Sequence, residues 1–194
     1  DMSYLYHRLS WDHDFLIEAH KHVIKTDKFT RKMVELYEEV WKSGTFQKKT
    51  LMLQRADYMC DISKNPKGEL KQVEVNNIAA GMGPLNQRLS NWHKKVLRDH
   101  IGEFSENHLP LNNAPEVVAE GLYQAWVSME DKEAAVLFVV EDLNQNQLDQ
   151  RHTEYGMVGH DPSIRVFRLT LTQCSGRLTL KNNDLILDGT TRIS

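Results

Sequence analysis

Two cysteines, five prolines and ten glycines among 194 residues exclude several kinds of protein at the outset. Cys60 and Cys174 lack C-x-x-C spacing and are too few for a disulfide framework. A reducing compartment is therefore the default expectation, with a single bridge left open, and each thiol reads as a small packed hydrophobe before it reads as a nucleophile. No apolar run approaches the roughly 20 residues of a membrane span. The formal charge of −3 gives no basic footprint for nucleic acid. Neither G-x-G-x-x-G nor G-x-x-x-x-G-K-[ST] occurs, which removes the glycine-rich phosphate cradles of the dinucleotide and P-loop folds. There is no internal repeat, low-complexity tract or secretory leader, and a processed N-terminus would have lost any leader. What remains, 40% hydrophobic and 26% charged, suits a soluble α/β protein, expected in the cytoplasm with secretion as the alternative.

The most informative stretch is Leu70-Lys-Gln-Val-Glu-Val-Asn-Asn-Ile-Ala-Ala-Gly-Met-Gly-Pro-Leu85. Val73 and Val75 alternate with Gln72, Glu74 and Asn76, the period-2 pattern of a half-buried strand, so Glu74 and Asn76 share one face about 7 Å apart. Small residues follow at Ala79, Ala80, Gly81 and Gly83, where a backbone can turn tightly and approach a ligand. A carboxylate beside a carboxamide oxygen makes a half-shell for a hard cation such as magnesium, which keeps water and phosphate oxygens as its other ligands. The same pattern also fits an ordinary edge strand with a solvated polar face. Upstream, Leu51–Met59 ends in Arg55, Asp57 and Tyr58, and the turn signal Asn65-Pro-Lys-Gly68 predicts an antiparallel hairpin between the two segments. Pairing would bring Arg55 towards Glu74 and Asn76, as a structural ion pair or as a bidentate grip on carboxylate or phosphate.

Arg55-x-Asp-Tyr-Met59, then Gln72-Val-Glu-Val-Asn76 and Asn77-Ile-Ala-Ala-Gly-Met, resembles the eukaryotic glutathione synthetases, which read R-x-D-Y-M and later Q-I-E-x-N-T-I-S-x-S-F. A second match is Ala134–Val140 followed by Glu141-Asp-Leu-Asn-Gln-Asn-Gln-Leu-Asp-Gln-Arg151, similar to the family's apolar strand and its F-D-Q-R segment. The resemblance covers most of the chain and weakens at residues 1–25 and after about residue 155. It implies an ATP-grasp-type ligase that joins γ-glutamylcysteine to glycine, using ATP and magnesium to convert the cysteinyl carboxylate into an acyl phosphate. By resemblance, Glu74 and Asn76 match magnesium ligands, Glu74 also lies next to ATP, and Arg55 matches the arginine that contacts the peptide substrate. Ile78, Ala79, Ala80 and Gly81 fall on a substrate-binding loop, and Asn144, Gln145, Asn146 and Gln150 on later substrate positions. The family is typically a homodimer.

The departures carry as much weight. Ala79 and Gly81 replace two serines and Asn77 replaces the usual threonine, so hydroxyls that would bond a substrate carboxylate or amine are missing. Each lost hydrogen bond removes about 0.5–1.5 kcal/mol when neutral and more when charged, and two lower affinity by about one to several powers of ten. A different small peptide or a different acceptor amine thus becomes a candidate substrate, unless backbone N–H groups of the loop substitute for the hydroxyls. The resemblance also implies a longer protein. The remaining lysines, glycine-rich loop and further magnesium-binding glutamate would lie beyond Ser194, and a second polypeptide is the other way to complete the fold. Alone, this stretch is expected not to make glutathione. Divergence into a binding or interaction protein, secreted and without catalysis, is the reading from another class.

Apolar periodicity predicts helices over residues 3–25 and 27–43, the second stopped by Gly44, and a third carrying Leu85, Leu89, Trp92, Val96 and Leu97. Asn113-Ala-Pro-Glu116 has the form of a capping box opening a fourth helix, with Val117, Val118, Leu122, Ala125 and Trp126 inward. Residues 134–140 predict a strand covered on both faces, with the polar segment 141–150 at its carboxyl end, where open α/β sheets place ligands. Short strands are expected at 166–171, 178–180 and 185–187. By resemblance, residues 1–130 belong to an ATP-binding body and 131–194 open an inserted substrate-binding domain. His13, His20 and His22 lack the spacing of a metal set and are expected to be solvated or capping. Trp11, Trp41, Trp92 and Trp126 are expected in core packing or a subunit interface, and Lys48 and Lys49 in a solvated loop.

Overall fold

The computed structural model describes residues 2–44, 49–77, 80–101, 105, 107 and 109–194, with the backbone alone at Met2 and Ser3. It divides into two compact units, Asp1–Met52 and Leu53–Ser194. In the first, α1 (Met2–Ser10), α2 (His13–Thr26) and α3 (Lys28–Ser43) follow one another. The single helix expected over 3–25 is two helices. Asp12 is extended and its carboxylate accepts the Phe15 N–H at 2.9 Å, so the Asp side chain caps α2 and ends the continuity. Asp27 does the same for α3 through the Thr30 N–H at 2.6 Å, and Gly44 follows as the C-cap. His13 stacks on Trp41 with ring centroids 4.8 Å apart and lies 3.2 Å from the Tyr37 hydroxyl, which ties α2 to α3. His20 is exposed, as expected of a solvated histidine, and its ring nitrogen lies 2.7 Å from the Leu16 carbonyl one turn back within α2.

The second unit opens with the hairpin β1 (Arg55–Asp61) and β2 (Glu69–Asn76), antiparallel as expected. The Gly68 N–H closes the turn on the Asn65 carbonyl at 2.8 Å. Gly68 has φ +80 and a Cβ there would fall 2.3 Å from Cys60 Sγ, so glycine is required by both backbone and space. The strand is not half-buried. Val73 is 59% exposed, and the register slips between Asp57 and Tyr58, passing over Val73, so the period-2 pattern does not line one covered face.

α4 (Gly83–Ile101) and α5 (Ala114–Val127) come next. Pro115 sits in the first turn of α5, but the expected capping box does not form: Glu116 accepts instead from Gln87 of α4, at 2.7 and 2.8 Å. Among the expected inward residues of α5, Trp126 is buried and bonds the Ala134 carbonyl at 2.9 Å, whereas Val117 is exposed. β3 (Val136–Val139), α6 (Gln147–His160) and β4 (Val166–Leu169) form a parallel pair with its crossover helix. Both faces of β3 are covered as expected. Val136 and Phe138 pack on Trp126, Met157 and Ile164, while Leu137 packs on Leu169, Cys174 and Leu187. The expected strand 166–171 stops at Leu169, because Thr170 and Gln173 form a capping box that starts α7 (Leu171–Arg177). β5 (Leu178–Lys181), β6 (Asp184–Leu187) and β7 (Thr191–Ile193) make an antiparallel meander, bridged to the parallel pair through Ala135 and Ile193.

Candidate functional site

The hairpin gathers the charged residues of the first motif on one face. Arg55 lies opposite Asn76, and Asp57 opposite Glu74. Cross-strand partners stand about 5 Å apart and i, i+2 residues share a face, so four polar side chains meet there. Arg55 forks onto Asp57, Nε to Oδ1 at 2.9 Å and Nη2 to Oδ2 at 3.1 Å, and its Nη2 lies 3.8 Å from Glu74 Oε1. Asn76 Nδ2 donates to the same Glu74 oxygen at 3.0 Å. The hydrogen bond to Asp57 raises the Arg55 pKa further, and the same bond holds the Asp57 carboxyl below its ordinary value. The Arg55, Asp57 and Glu74 side chains are 36%, 38% and 56% exposed, so they converge on a face that is open to a ligand.

Of the carboxylates on that face, Asp57 is neutralised by its guanidinium partner, whereas Glu74 makes only a long contact to it. Glu74 and the Asn76 carboxamide carry the oxygen types that fit a hard divalent cation completed by water and phosphate oxygens, an arrangement in which the Asn76 Nδ2–Glu74 hydrogen bond would give way to two oxygens facing the ion. They do not fit a site held by protein alone: among the described residues, no three His, Cys, Asp or Glu side chains group to hold a metal.

Ile78 and Ala79 of the expected substrate loop lie outside the described residues. Ala80 and Gly81 lead into Met82, which has φ +76, a left-handed conformation that a non-glycine residue adopts at a cost of about 1–2 kcal/mol. Asp149 holds it there, accepting the Met82 N–H at 2.7 Å and the Leu85 N–H at 3.2 Å. A carboxylate from the first turn of α6 thus caps the start of α4, where helix N–H groups lack partners and the dipole favours a negative charge. The bond physically joins the small-residue loop to the polar segment 141–150. Sequence reasoning quoted Asp149 within the segment similar to F-D-Q-R but gave it no role, since its partners lie more than sixty positions upstream.

Within that polar segment the expected residues differ in what they leave available. Asn144 has both amide ends engaged, Nδ2 donating to Glu141 at 2.7 Å and Oδ1 accepting the Asn146 N–H at 2.6 Å, an Asx turn that leads into α6. Gln145 and Asn146 are exposed, and Asn146 occupies the N-cap position without a side-chain cap bond. Gln150 accepts a hydrogen bond from Arg168 Nη2 at 2.8 Å. Behind it lies Glu154, buried at 2% exposure, which pairs with Arg168 and accepts from Arg151 Nη1 at 2.9 Å. Glu154 and Arg168 are the other members sequence reasoning passed over, and Asp57 was named in the first motif without a role. Asp57 was legible as the acid two places after Arg55.

The whole-chain comparisons agree with the motifs. The model of the ATP-binding domain of eukaryotic glutathione synthase matches residues 1–192. Glutathione synthetase from Xenopus laevis is 32% identical over 190 residues, 97% of this chain and 40% of the relative. The Homo sapiens glutathione synthetase is 30% identical, again over 97% of this chain and 40% of the relative. Among solved structures, the apo form of a glutathione synthetase-like effector from Globodera pallida aligns with a TM-score of 0.66 at 30% identity, over 73% of this chain and 35% of that one. The chain thus spans about two-fifths of the length of the curated relatives it matches.

Proposed function

The chain belongs to the eukaryotic glutathione synthetase family, and from that premise we propose that it supplies part of the active site of an ATP- and magnesium-dependent carboxylate–amine ligase. The reaction has two steps. A carboxylate of γ-glutamylcysteine or a related small peptide attacks the terminal phosphorus of ATP and expels ADP. Glycine or another amine then attacks the acyl phosphate and expels phosphate. Positioning and compensation of negative charge provide most of the catalysis in such chemistry.

The observation that carries the reading is the convergence of Arg55, Glu74 and Asn76 on one open face of the hairpin. Glu74 and Asn76 would hold magnesium, which neutralises phosphate charge when bound. Arg55, kept cationic and oriented by Asp57, would grip a carboxylate of the peptide. Ala80, Gly81 and Gln150 would line the peptide, with Gln145 and Asn146 at its periphery. The fold would be of the ATP-grasp type, completed by a further segment or a second polypeptide, and two such assemblies would form a homodimer.

Calorimetric titration of the full-length protein, with any completing partner, tests this directly. Magnesium with a non-hydrolysable ATP analogue should bind, and γ-glutamylcysteine should bind in its presence. Nucleotide binding without γ-glutamylcysteine binding would move the proposal to a different peptide. Binding of neither would favour the second reading, a catalytically silent binding protein. That reading is supported by the two hydroxyls missing at Ala79 and Gly81 and by the aligned structure's description as an effector.

A further inference from the structure

Gln150 stands in the first turn of α6 and Arg168 in β4. A guanidinium carries five N–H donors and no acceptor, so the Gln150 carboxamide can turn only its oxygen towards Arg168. Arg168 is itself held. Its Nη1 faces the buried Glu154, whose other oxygen takes Nη1 of Arg151. Rotating Arg168 away would leave that carboxylate with part of its charge uncompensated in the interior, which is strongly unfavourable. With Oε1 turned towards Arg168 and one of its two lone pairs taken there, the side of the carboxamide directed away from Arg168 carries Nε2 and its two N–H donors, and Nε2 has no protein partner among the described residues. The preceding residue, Asp149, anchors the small-residue loop, so this amide sits one position from the strut that joins the two ligand segments.

We infer that Arg168 is a positioning residue that fixes the polarity of Gln150, so that Gln150 recognises an acceptor oxygen of the ligand, a carboxylate or amide carbonyl, and discriminates against its ammonium group. The inference rests on Gln150 belonging to the peptide site proposed above. For γ-glutamylcysteine it assigns Gln150 to one of the carboxylates or the γ-amide carbonyl and leaves the α-amino group to other partners.

Gln150→Glu tests the sign. The replacement keeps the shape and the oxygen facing Arg168 while exchanging both N–H donors for a second acceptor. In the full-length protein, the new carboxyl, followed by carbon-13 NMR without ligand, should titrate well below the ordinary value of about 4.3 because Arg168 faces it. γ-Glutamylcysteine affinity by calorimetry should fall at least about tenfold, with the thermal midpoint unchanged or raised. An ordinary carboxyl titration would overturn the role of Arg168. Unchanged or tighter peptide binding would overturn the donor polarity, since an ammonium-binding amide gains from a carboxylate. If the wild-type protein fails to bind γ-glutamylcysteine, the functional reading falls, and the ligand-free titration still decides whether Arg168 sets the amide.

Discussion

Arg55 and Glu74 are separated by a bulge-containing hairpin, yet their roles can be tested singly. Glu74→Gln removes a formal charge from the proposed metal shell and changes volume little, and the side chain is more than half exposed. In the full-length protein turnover should be lost, with the unfolding free energy within about 0.5 kcal/mol of wild type, as for other surface substitutions. Activity near the wild-type level would remove Glu74 from the metal site. Asp57 makes a separate prediction about pH. Its folded pKa is depressed by the Arg55 hydrogen bond, so its contribution is present above the ordinary value of about 3.9 and is lost as pH falls through the lower folded value. Carbon-13 NMR of the Asp57 carboxyl should show that depressed titration, and Arg55→Met should return it to the ordinary range.

Two helix contacts show how elements set the site. Asp149→Ala removes an N-terminal cap of α4, which typically costs about 0.5–2 kcal/mol. Hydrogen exchange at Met82 and Leu85 should accelerate, because these are the N–H groups the carboxylate holds. Met82→Gly alone should stabilise by about 1 kcal/mol by relieving the left-handed backbone at φ +76, and that gain should shrink once Asp149→Ala has freed the loop to relax. An undiminished gain in the double variant would mean that Asp149 is not what holds the loop in that conformation. Gly156 makes the opposite kind of prediction. Alanine is the better helix former by about 1 kcal/mol, but a Cβ at Gly156 would lie 2.7 Å from the Ala119 Cβ across the α5–α6 contact. Gly156→Ala should therefore destabilise, by about 1–3 kcal/mol, as overpacking does, measured as a fall in urea midpoint. A stabilised variant would show that α5 and α6 separate freely.

These elements also explain what was legible beforehand. The hairpin, α4, α5 and the double-covered β3 follow from local patterns, namely alternation, helical spacing and the Asn65–Gly68 turn. The break before α2 and the start of α7 were missed because Asp12 and Thr170 interrupt apolar periodicity with a single side-chain bond. The face of β2 was misjudged because a bulge leaves no trace in the alternation. At the site, Arg55, Glu74 and Asn76 were visible through strand pairing. Asp149, Arg168 and Glu154 were not, because crossing from α6 to α4 or β4 is a tertiary event.

At the scale of the molecule, large apolar side chains stand exposed in both units, and many of them are ordered in stripes. Phe29, Met33, Leu36 and Val40 recur along α3 at the three- and four-residue spacing of a helix seam, and each is at least 45% exposed. On the second unit, Leu70 and Val73 of β2 and Leu85, Leu89 and Trp92 of α4 are exposed as well. An apolar stripe along one helix face, as on α3, is the pattern of a surface that packs against a partner. With the relatives' chains extending well beyond the matched residues, such a stripe is where a completing segment or second polypeptide of the proposed ligase would dock. The α3 seam gives the decisive substitution. Leu36 is 54% exposed, so Leu36→Glu should leave the helices of its own unit intact, changing their circular dichroism little. Assembly with the completing polypeptide, or the cooperative unfolding of a single full-length chain, should weaken by about 1.5–3 kcal/mol, the worth of one buried leucine. Intact assembly in that variant would show that the α3 stripe faces solvent in the finished protein.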